Sequence, residues 1–565
     1  MSAAANSYPS ADRNSASFHD TLWGDSFLNK VDESLHVQQG QSEYEALKEE
    51  ARKMLTPDGS IDHATDDGSN KRRTADKLRL IDAIQQLGVG YHFETEIDKA
   101  LEEVQALGDK LFIVDGDITD LYHEALRFRL LRQQGLLVSS DGFKTLKDDE
   151  GSFKASLASD EQGLLSLYEA AHVALNGEGI LDEALTFATK TLKSILPHQS
   201  PSFHKQIQFA LRLPIWKCVP RSLTRHYIDI YSEDASHNEK LLMFAKLDFN
   251  MLQNDHQQEL REVSRWWESL NVTVNFPYAR DRVVECYYWI YAVYFEPKYH
   301  LARMIIVKII SLLSLLDDTY DNFGTHNEVE ILTAAIQRFN VSALEELPEA
   351  MKNMYRLILN VYDEIEMELA KAGPTFAVDY AREELKKLCR SHLTEIQWRT
   401  KGHAPTLEEY KAFAYITSCC PILCTSAFIG MGTEIATKEA FQWVTNESNK
   451  MVRAGSIIFR LQNDIVSHKF EQNRKHAASA VECYVNEHMT LEEEAVEFLW
   501  AEISKAWKDI AEECQKPTLL SVALTDRVLN FARSISVIYE KEDGYTNSYL
   551  LKAHLGSLFV DPIPL

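Results

Sequence analysis

The stretch Met304–Asp321, MIIVKIISLLSLLDDTYD, decides how the rest of the chain is read. Up to Leu316 it is apolar except for Lys308, Ser311 and Ser314, holds no glycine or proline, and then turns acidic at Asp317, Asp318 and Asp321. Such a run reads as a buried helix with an acidic end. On an α-helix, residues four apart lie about 40° apart around the axis, so Asp317 and Asp321 share a face and Asp318 flanks it. Carboxylates crowded at the mouth of an apolar pocket repel one another and lose hydration, so they need a cation. Oxygen ligands without Cys or His suit Mg²⁺. An acidic cluster by itself more often marks a solvated helix end. The apolar run before this one argues against that reading, and a second cluster further along argues against it again.

The chain has 565 residues, 45% of them hydrophobic, enough for more than one core. A formal charge of −26 argues against nucleic acid and against an anionic membrane surface. A polyanionic substrate would therefore have to be met by local cations, whether metal or arginine. The eight cysteines are scattered without a CxxC pair, which indicates neither a disulfide framework nor a zinc site, and reduced core thiols are expected. No run of about 18 uncharged apolar residues occurs, so no transmembrane helix is expected. Residues Met1–Asp12 are rich in Ser and Ala but hold no Arg and no apolar core. That disfavours a signal peptide or a typical transit sequence, and a cytoplasmic protein is expected.

Phe18, Leu22, Trp23 and Phe27 give an N-terminal arm, expected to be mobile up to Ser17, an apolar anchor. Aromatics in such arms ordinarily tether them to a domain surface. A charged amphipathic helix is expected over 43–55. An exposed loop rich in Asp, Gly, Ser and Asn is expected from Pro57 to Arg73, with Lys71-Arg72-Arg73 as a solvated helix start and not a localisation signal. Helical patterns recur over 78–87, 94–107, 118–134, 163–175 and 180–192, strand-like alternation is rare, and Asn176-Gly177 reads as a helix–helix turn. The fold class is therefore all-α. Gly88-Val89-Gly90 lacks the third glycine and flanking strand of a dinucleotide fingerprint. Asp115 to Asp120 lacks the central glycine and distal glutamate of a calcium loop and reads as a helix N-terminus. Pro214, Pro220 and the polar stretch 232–238 mark a boundary between two helical domains, 1–235 and 236–565. Beyond it come one or two helices over 241–270 and an aromatic stripe over 283–295. Such a stripe is ordinarily core, but this one lies between two charged clusters.

The first of those clusters is Arg280-Asp281-Arg282. Two arginines one residue apart offer forked donors to phosphate oxygens, although most such pairs are surface charges. The later cluster runs from Arg460 to Glu471, RLQNDIVSHKFE. Asn463, Ser467 and Glu471 recur every four residues on one helical stripe, with Arg460 one turn earlier. An amide oxygen, a hydroxyl and a carboxylate are again hard oxygen ligands. Two facing helices of this kind could clamp several Mg²⁺ beneath Arg280, Arg282 and Arg460. A diphosphate carries enough charge to bridge such ions, and neutralising it makes it a leaving group. Set above an aromatic, apolar cavity, this points to an allylic substrate that ionises to a carbocation. Aromatic faces stabilise such a cation by roughly 0.5–2 kcal/mol each.

On these motifs the chain resembles the plant class I terpene synthases, of the sesquiterpene cyclase type, over nearly all its length. Asp317 to Asp321 matches the family's DDxxD motif, Asn463, Ser467 and Glu471 its (N/D)Dxx(S/T)xxxE motif, and Arg280 and Arg282 its RxR motif. Leu87-Gly88 with Tyr91 to Glu94, Arg127 to Arg132, and Tyr294 to Pro297 are further signatures. The resemblance implies an N-terminal α-barrel-like domain with no active site of its own and a C-terminal class I terpenoid synthase α-bundle that does the chemistry. It implies three Mg²⁺, with Mn²⁺ as an alternative. Asp317 and Asp321 would be direct ligands, Asp318 a supporting carboxylate of the metal site, and Asn463, Ser467 and Glu471 the holders of the third ion. Arg280, Arg282 and Arg460 would bind the departing diphosphate, which Asp317, Asp321 and Asn463 would also help to bind. Trp289 matches the cavity tryptophan. Tyr539, Asp543 and Tyr545 fall in the segment that closes over the pocket. Ser418, Cys419 and Cys420 fall where the family's cavity helix is kinked, with plain helix packing as the alternative reading there.

The tandem arginine of many monoterpene cyclases is absent, since Asp12 precedes Arg13, and Asn14 stands where proline is common. No DxDD stretch occurs. The expectation is a monomeric sesquiterpene synthase that ionises (2E,6E)-farnesyl diphosphate and releases diphosphate and a C15 hydrocarbon or alcohol. The alternatives are a monoterpene synthase acting on geranyl diphosphate, a chain-elongating prenyltransferase, and a non-catalytic acidic helical scaffold. The prenyltransferase would carry a second aspartate-rich motif of the first type.

Overall fold

The computed structural model describes residues 18–28, 37–56, 68–108, 111–114, 117–372, 375–472 and 478–565. Within them the chain is helical apart from one two-stranded hairpin, an isolated bridge and loops. It packs as two units, one formed by 31–255, 508–519 and 556–565, the other by 1–30, 256–507 and 520–555.

In the first unit, caps and turns place the helices. Asp160 and Ser200 accept the backbone N–H of Gly163 and Phe203 at the starts of Glu161–Ala171 and Pro201–Arg212. Gly177, at φ +86°, makes the turn between Glu161–Ala171 and Gly179–Ile195. These helices bury Leu164, Tyr168, Leu192, Phe203 and Ile207 in one cluster. The arginine-rich signature is buried and cross-links its surroundings. Arg127 pairs with Glu124 at 2.7 Å, Arg129 with Asp82 at 2.7 Å and Arg132 with Glu178 at 2.6 Å. Gly88 closes the preceding helix at φ +74°, where a Cβ would lie 2.3 Å from Thr224 Oγ1. Its glycine therefore serves packing, not a phosphate.

Asp248 is the centre of a closed polar network in this unit. Its Oδ1 accepts from the Tyr44 and Tyr91 hydroxyls at 3.0 and 2.7 Å and lies 2.8 Å from His92 Nε2, while Arg221 reaches Oδ2 at 3.4 Å. Burial alone would raise this carboxyl. The His92 hydrogen bond, the Arg221 charge and the Tyr91 hydroxyl outweigh it and hold Asp248 below the ordinary aspartate value.

Two expectations shift. The loop expected up to Arg73 ends sooner, since the helix Gly68–Gln86 begins ahead of Lys71–Arg73; the triplet stands in its early turns, in keeping with the expected helix start, and buried Thr74, Ala75 and Leu78 follow it. Residues 57–67 lie outside the described residues. Ile118 is not helical: Asp117–Ile118 pairs with Ile113–Val114 as an antiparallel hairpin. The helix Leu121–Gln133 then begins after Asp120, whose side chain accepts the His123 N–H as the expected cap.

The one or two helices expected over 241–270 form a single helix, Glu239–Ser269, and in the second unit every residue of the aromatic helix Val283–Val293 is buried. His300–Asp318 is the core helix read from the sequence. The segment 297–323 is long and apolar enough by composition to cross a bilayer, but 78% of its apolar window is buried in protein, as for the core helix of a bundle. Lys308, which interrupts the apolar run after Met304, reaches Glu364 and Glu368 at 3.2 and 3.4 Å. The anchor of the arm also packs here: Trp23 is buried and its indole N–H donates to Glu285 at 3.0 Å. None of the eight cysteines is in a disulfide, and seven are buried.

Candidate active site

The acidic stretch does not continue as regular α-helix. His300–Asp318 passes into a π-helical turn, Thr319–Phe323, closed by the Gly324 N–H donating to the Thr319 carbonyl at 2.8 Å. This corrects the simple four-residue helical spacing expected for Asp317 and Asp321, although both still line one cavity of about 310 Å³. Such wide turns recur at functional sites. The Thr319 hydroxyl holds this one by donating to the Leu315 carbonyl at 2.7 Å and bonding the Tyr278 hydroxyl at 2.9 Å.

Asp318 points away from the cavity and is fully buried. It accepts the Arg280 backbone N–H at 2.8 Å and the Arg280 Nε at 3.2 Å. The Arg280 guanidinium also donates to Asp317 at 2.7 Å and to the Thr546 hydroxyl at 3.1 Å. It lies between the rings of Phe18 and Tyr545, 5.5 and 5.1 Å from their centres. Arg282 does not line the cavity. Its guanidinium is buried and donates to the carbonyls of His19, Tyr545 and Thr546 at 3.1, 3.3 and 3.1 Å and to the His19 ring at 2.9 Å. The two arginines of one short motif thus do different work, one beside the carboxylates and one tying the arm to the 545–546 segment.

On the opposite wall, the helix Lys450–Glu471 presents Arg460, Asn463 and Ser467 to the cavity. Glu471 is its last residue, and its side chain lies outside what the structure describes. Arg460 donates to the Ala414 carbonyl and the Thr417 hydroxyl, both at 3.1 Å. Asp464, one position round from Asn463, is buried and accepts from Tyr410 at 2.7 Å and from the Ala480 N–H at 2.9 Å, so it braces the helix. Between the two walls lies an aromatic floor. Trp289 stacks on Phe459 with centres 5.0 Å apart and meets Tyr539 and Tyr545 edge-on at 6.2 and 6.5 Å. Asp543 also lines the cavity and accepts the N–H groups of Tyr545 and Thr546, each at 2.9 Å, which orders the segment over the mouth. The kink is present: the helix Leu407–Thr417 stops, Cys419 is left-handed at φ +65°, and Pro421 sits in the first turn of Cys420–Ala427. Ser418 and Cys419 line the cavity there.

Sequence reading missed a third wall. His392, Glu395 and Arg399 line the cavity from the helix Phe376–Lys401. Their spacing of three and four residues puts them on one face, and that polar stripe was the available signal. Phe18 and Asn322 complete the mouth.

The acidic edge is electrostatically incomplete. Crowding by the surrounding protein, then the like charges of Asp317 and Asp318, push the Asp321 carboxyl up to about 7, against the pull of Arg399 and Arg280. Asp321 stands exposed at the cavity mouth, where water tempers the burial contribution while the like charges of Asp317 and Asp318 keep the direction upward. Burial raises Asp318 and Glu395 as well. Oxygen donors held above their ordinary pKa are those a hard divalent cation would settle. Among the described residues no three His, Cys, Asp or Glu groups already converge on one point. Asp317, Asp321, Asn463 and Ser467 bring oxygen donors to the cavity, and Mg²⁺ commonly takes one or two carboxylates and fills its octahedron with water and substrate phosphate oxygens. The donor set therefore fits the ion.

A helical unit that sets oxygen donors and arginines over an aromatic cavity is built like a lyase of prenyl diphosphates. Residues 22–211 match the terpene synthase N-terminal domain, and residues 268–509 match the terpene synthase family metal binding domain. The chain is 46% identical to a (-)-germacrene D synthase from Vitis vinifera over 99% of this chain and 97% of that one. It is 44% identical to a sesquiterpene synthase from Toona sinensis, over 98% and 97%. Isoprene synthase from grey poplar leaves, solved with three Mg²⁺ ions and dimethylallyl-S-thiolodiphosphate, superposes with a TM-score of 0.84 at 31% identity, covering 94% of this chain and 99% of that one. The chain belongs to the terpene synthase family.

Proposed function

We propose that this protein is a Mg²⁺-dependent sesquiterpene synthase acting on farnesyl diphosphate. The observation that carries the reading is one cavity with Asp317 and Asp321 on one edge, Asn463 and Ser467 on the other, and Trp289, Phe459, Tyr539 and Tyr545 between them. The relatives' names support the C15 substrate. When bound, Mg²⁺ neutralises the diphosphate and makes it a leaving group. Asp317 and Asp321 hold the charged end at one edge, and Asn463, Ser467 and Glu471 hold it at the other. Asp318 fixes Arg280 beside them. The allylic C–O bond breaks with its electron pair going to the diphosphate, leaving a carbocation over the aromatic floor. Arg280 and Arg460 keep the diphosphate at the mouth, while Tyr539, Asp543 and Tyr545 belong to the cover that excludes water. Loss of a proton ends the cascade as a hydrocarbon, and capture of water with loss of a proton ends it as an alcohol.

This reading assigns the chemistry to the 236–565 domain, with Phe18 of the arm at its mouth, and none to the rest of 1–235. We keep the monomer expected from the sequence, and eight cysteines without a disulfide suit a reducing cytoplasm. The test is to incubate purified protein separately with farnesyl and geranyl diphosphate, with Mg²⁺, with Mn²⁺ and with neither, and to identify volatiles by mass spectrometry. Metal-dependent C15 product from the farnesyl substrate is expected. Product from the geranyl substrate alone would reassign the enzyme to monoterpenes, and no product from folded protein would leave a scaffold.

A further inference from the structure

The cavity's arginines are not the set that the motifs name. Arg282 is turned into the protein and occupied by the backbone of the arm and of the 545–546 segment. Arg280 is engaged by Asp317, Asp318 and Thr546, and Arg460 by Ala414 and Thr417. Arg399, which no motif singles out, lines the same cavity from the helix Phe376–Lys401. It stands beside the acidic turn, where its Nη1 donates to the Asp321 carbonyl at 3.4 Å. That distance is beyond the usual range for such a bond. Among the described residues its hydrogen bond is to that backbone carbonyl and its charge pulls on the Asp321 carboxylate, which leaves most of its donors for the cavity.

A guanidinium at this place has a planar fork of donors matched to phosphate oxygens. It reaches the charged end of a substrate from the one wall that carries no part of the family's motifs. We propose that Arg399 is a diphosphate-binding residue of this active site and takes, from the 376–401 helix, the place in the cation set that Arg282 leaves open. The proposal rests on the diphosphate reading above.

The test is calorimetric titration of inorganic pyrophosphate in saturating Mg²⁺ into the wild-type full chain, Arg399→Gln, Arg399→Lys and Asp317→Ala, with the melting temperature of each free protein measured alongside. Arg399→Gln should weaken pyrophosphate roughly 10- to 100-fold, as loss of a charged hydrogen-bond partner does, while melting like wild type. Arg399→Lys should recover part of the loss by restoring the charge without the fork. Wild-type affinity in Arg399→Gln would overturn the proposal. So would equal losses in the Gln and Lys variants with a matching fall in melting temperature, which would reduce Arg399 to a brace for the Asp321 turn. Failure of the underlying reading is separately visible: wild type would then bind no pyrophosphate in Mg²⁺, whatever stands at 399.

Discussion

Asp248 in the first unit and the Asp317–Asp318–Asp321 turn in the second both gather carboxylates within packed protein, and they come out opposite. Around Asp248 two tyrosines, a histidine and an arginine satisfy the carboxylate, and its pKa is held low. At the turn, Arg280 is shared between two aspartates, and the third is pushed up. A finished polar network stabilises a fold. An unfinished one, facing a cavity, waits for a cation and a ligand to complete it.

The sharpest way to break this contrast is to damage the closed network. Asp248→Ala strands Arg221 in the interior and should cost about 3–5 kcal/mol of stability in urea unfolding, with the product profile of the remaining folded enzyme unchanged. A wild-type midpoint would mean that the network is ornamental. At the open site the opposite split is expected: Asp317→Ala should lower turnover roughly 10²–10³-fold and leave the melting temperature unchanged or raised. A loss of fold without loss of turnover per folded molecule would make the turn structural. On the facing helix, Ser467→Ala should shift the Mg²⁺ activation curve to about 10-fold higher concentration, and a superimposable curve would remove Ser467 from the ion's surroundings.

The two regions should also differ in pH dependence, a smaller effect. Asp321 is raised from the ordinary aspartate value to about 7, so in metal-free protein the folded state binds more protons than the unfolded state across that window. Its contribution to stability therefore falls as pH rises from 4 to 7. Asp248 is depressed, so its contribution is present above its unfolded value and is lost only as pH falls through the lower folded value. Melting curves in chelator should show the first slope in wild type, and Asp321→Asn or added Mg²⁺ should flatten it. A slope that survives in Asp321→Asn would assign it elsewhere.

Much of this was legible in the chain. The long unbroken apolar run into Asp317 reads as an interior helix, and the four-residue spacing of Asn463 and Ser467 sets them on one helical face. The anchor at Trp23 also followed from local residues, whereas the kink at Cys419 followed only from the family resemblance. What stayed hidden depends on tertiary placement. Arg280 and Arg282 read alike, because nothing in a three-residue segment tells which side chain the arm and the 545–546 segment will capture. The π turn at Thr319 arises where a helix end meets Tyr278, a partner distant in sequence. His392, Glu395 and Arg399 look from sequence like the wet face of a surface helix, since a polar stripe lining a cavity and one facing solvent have the same periodicity.

Arg282 binds two otherwise separate chain segments through one guanidinium, and that makes their ordering cooperative. Whichever segment settles first fixes the arginine in the geometry the other needs, so the second loses less entropy on docking. The cover over the cavity then behaves as a gate with two keys, shut only when both the 18–23 arm and the 545–546 segment are down. Since a cation meeting stray water ends as an alcohol, the ratio of alcohol to hydrocarbon in the product mixture becomes a record of how faithfully that gate shuts in each turnover.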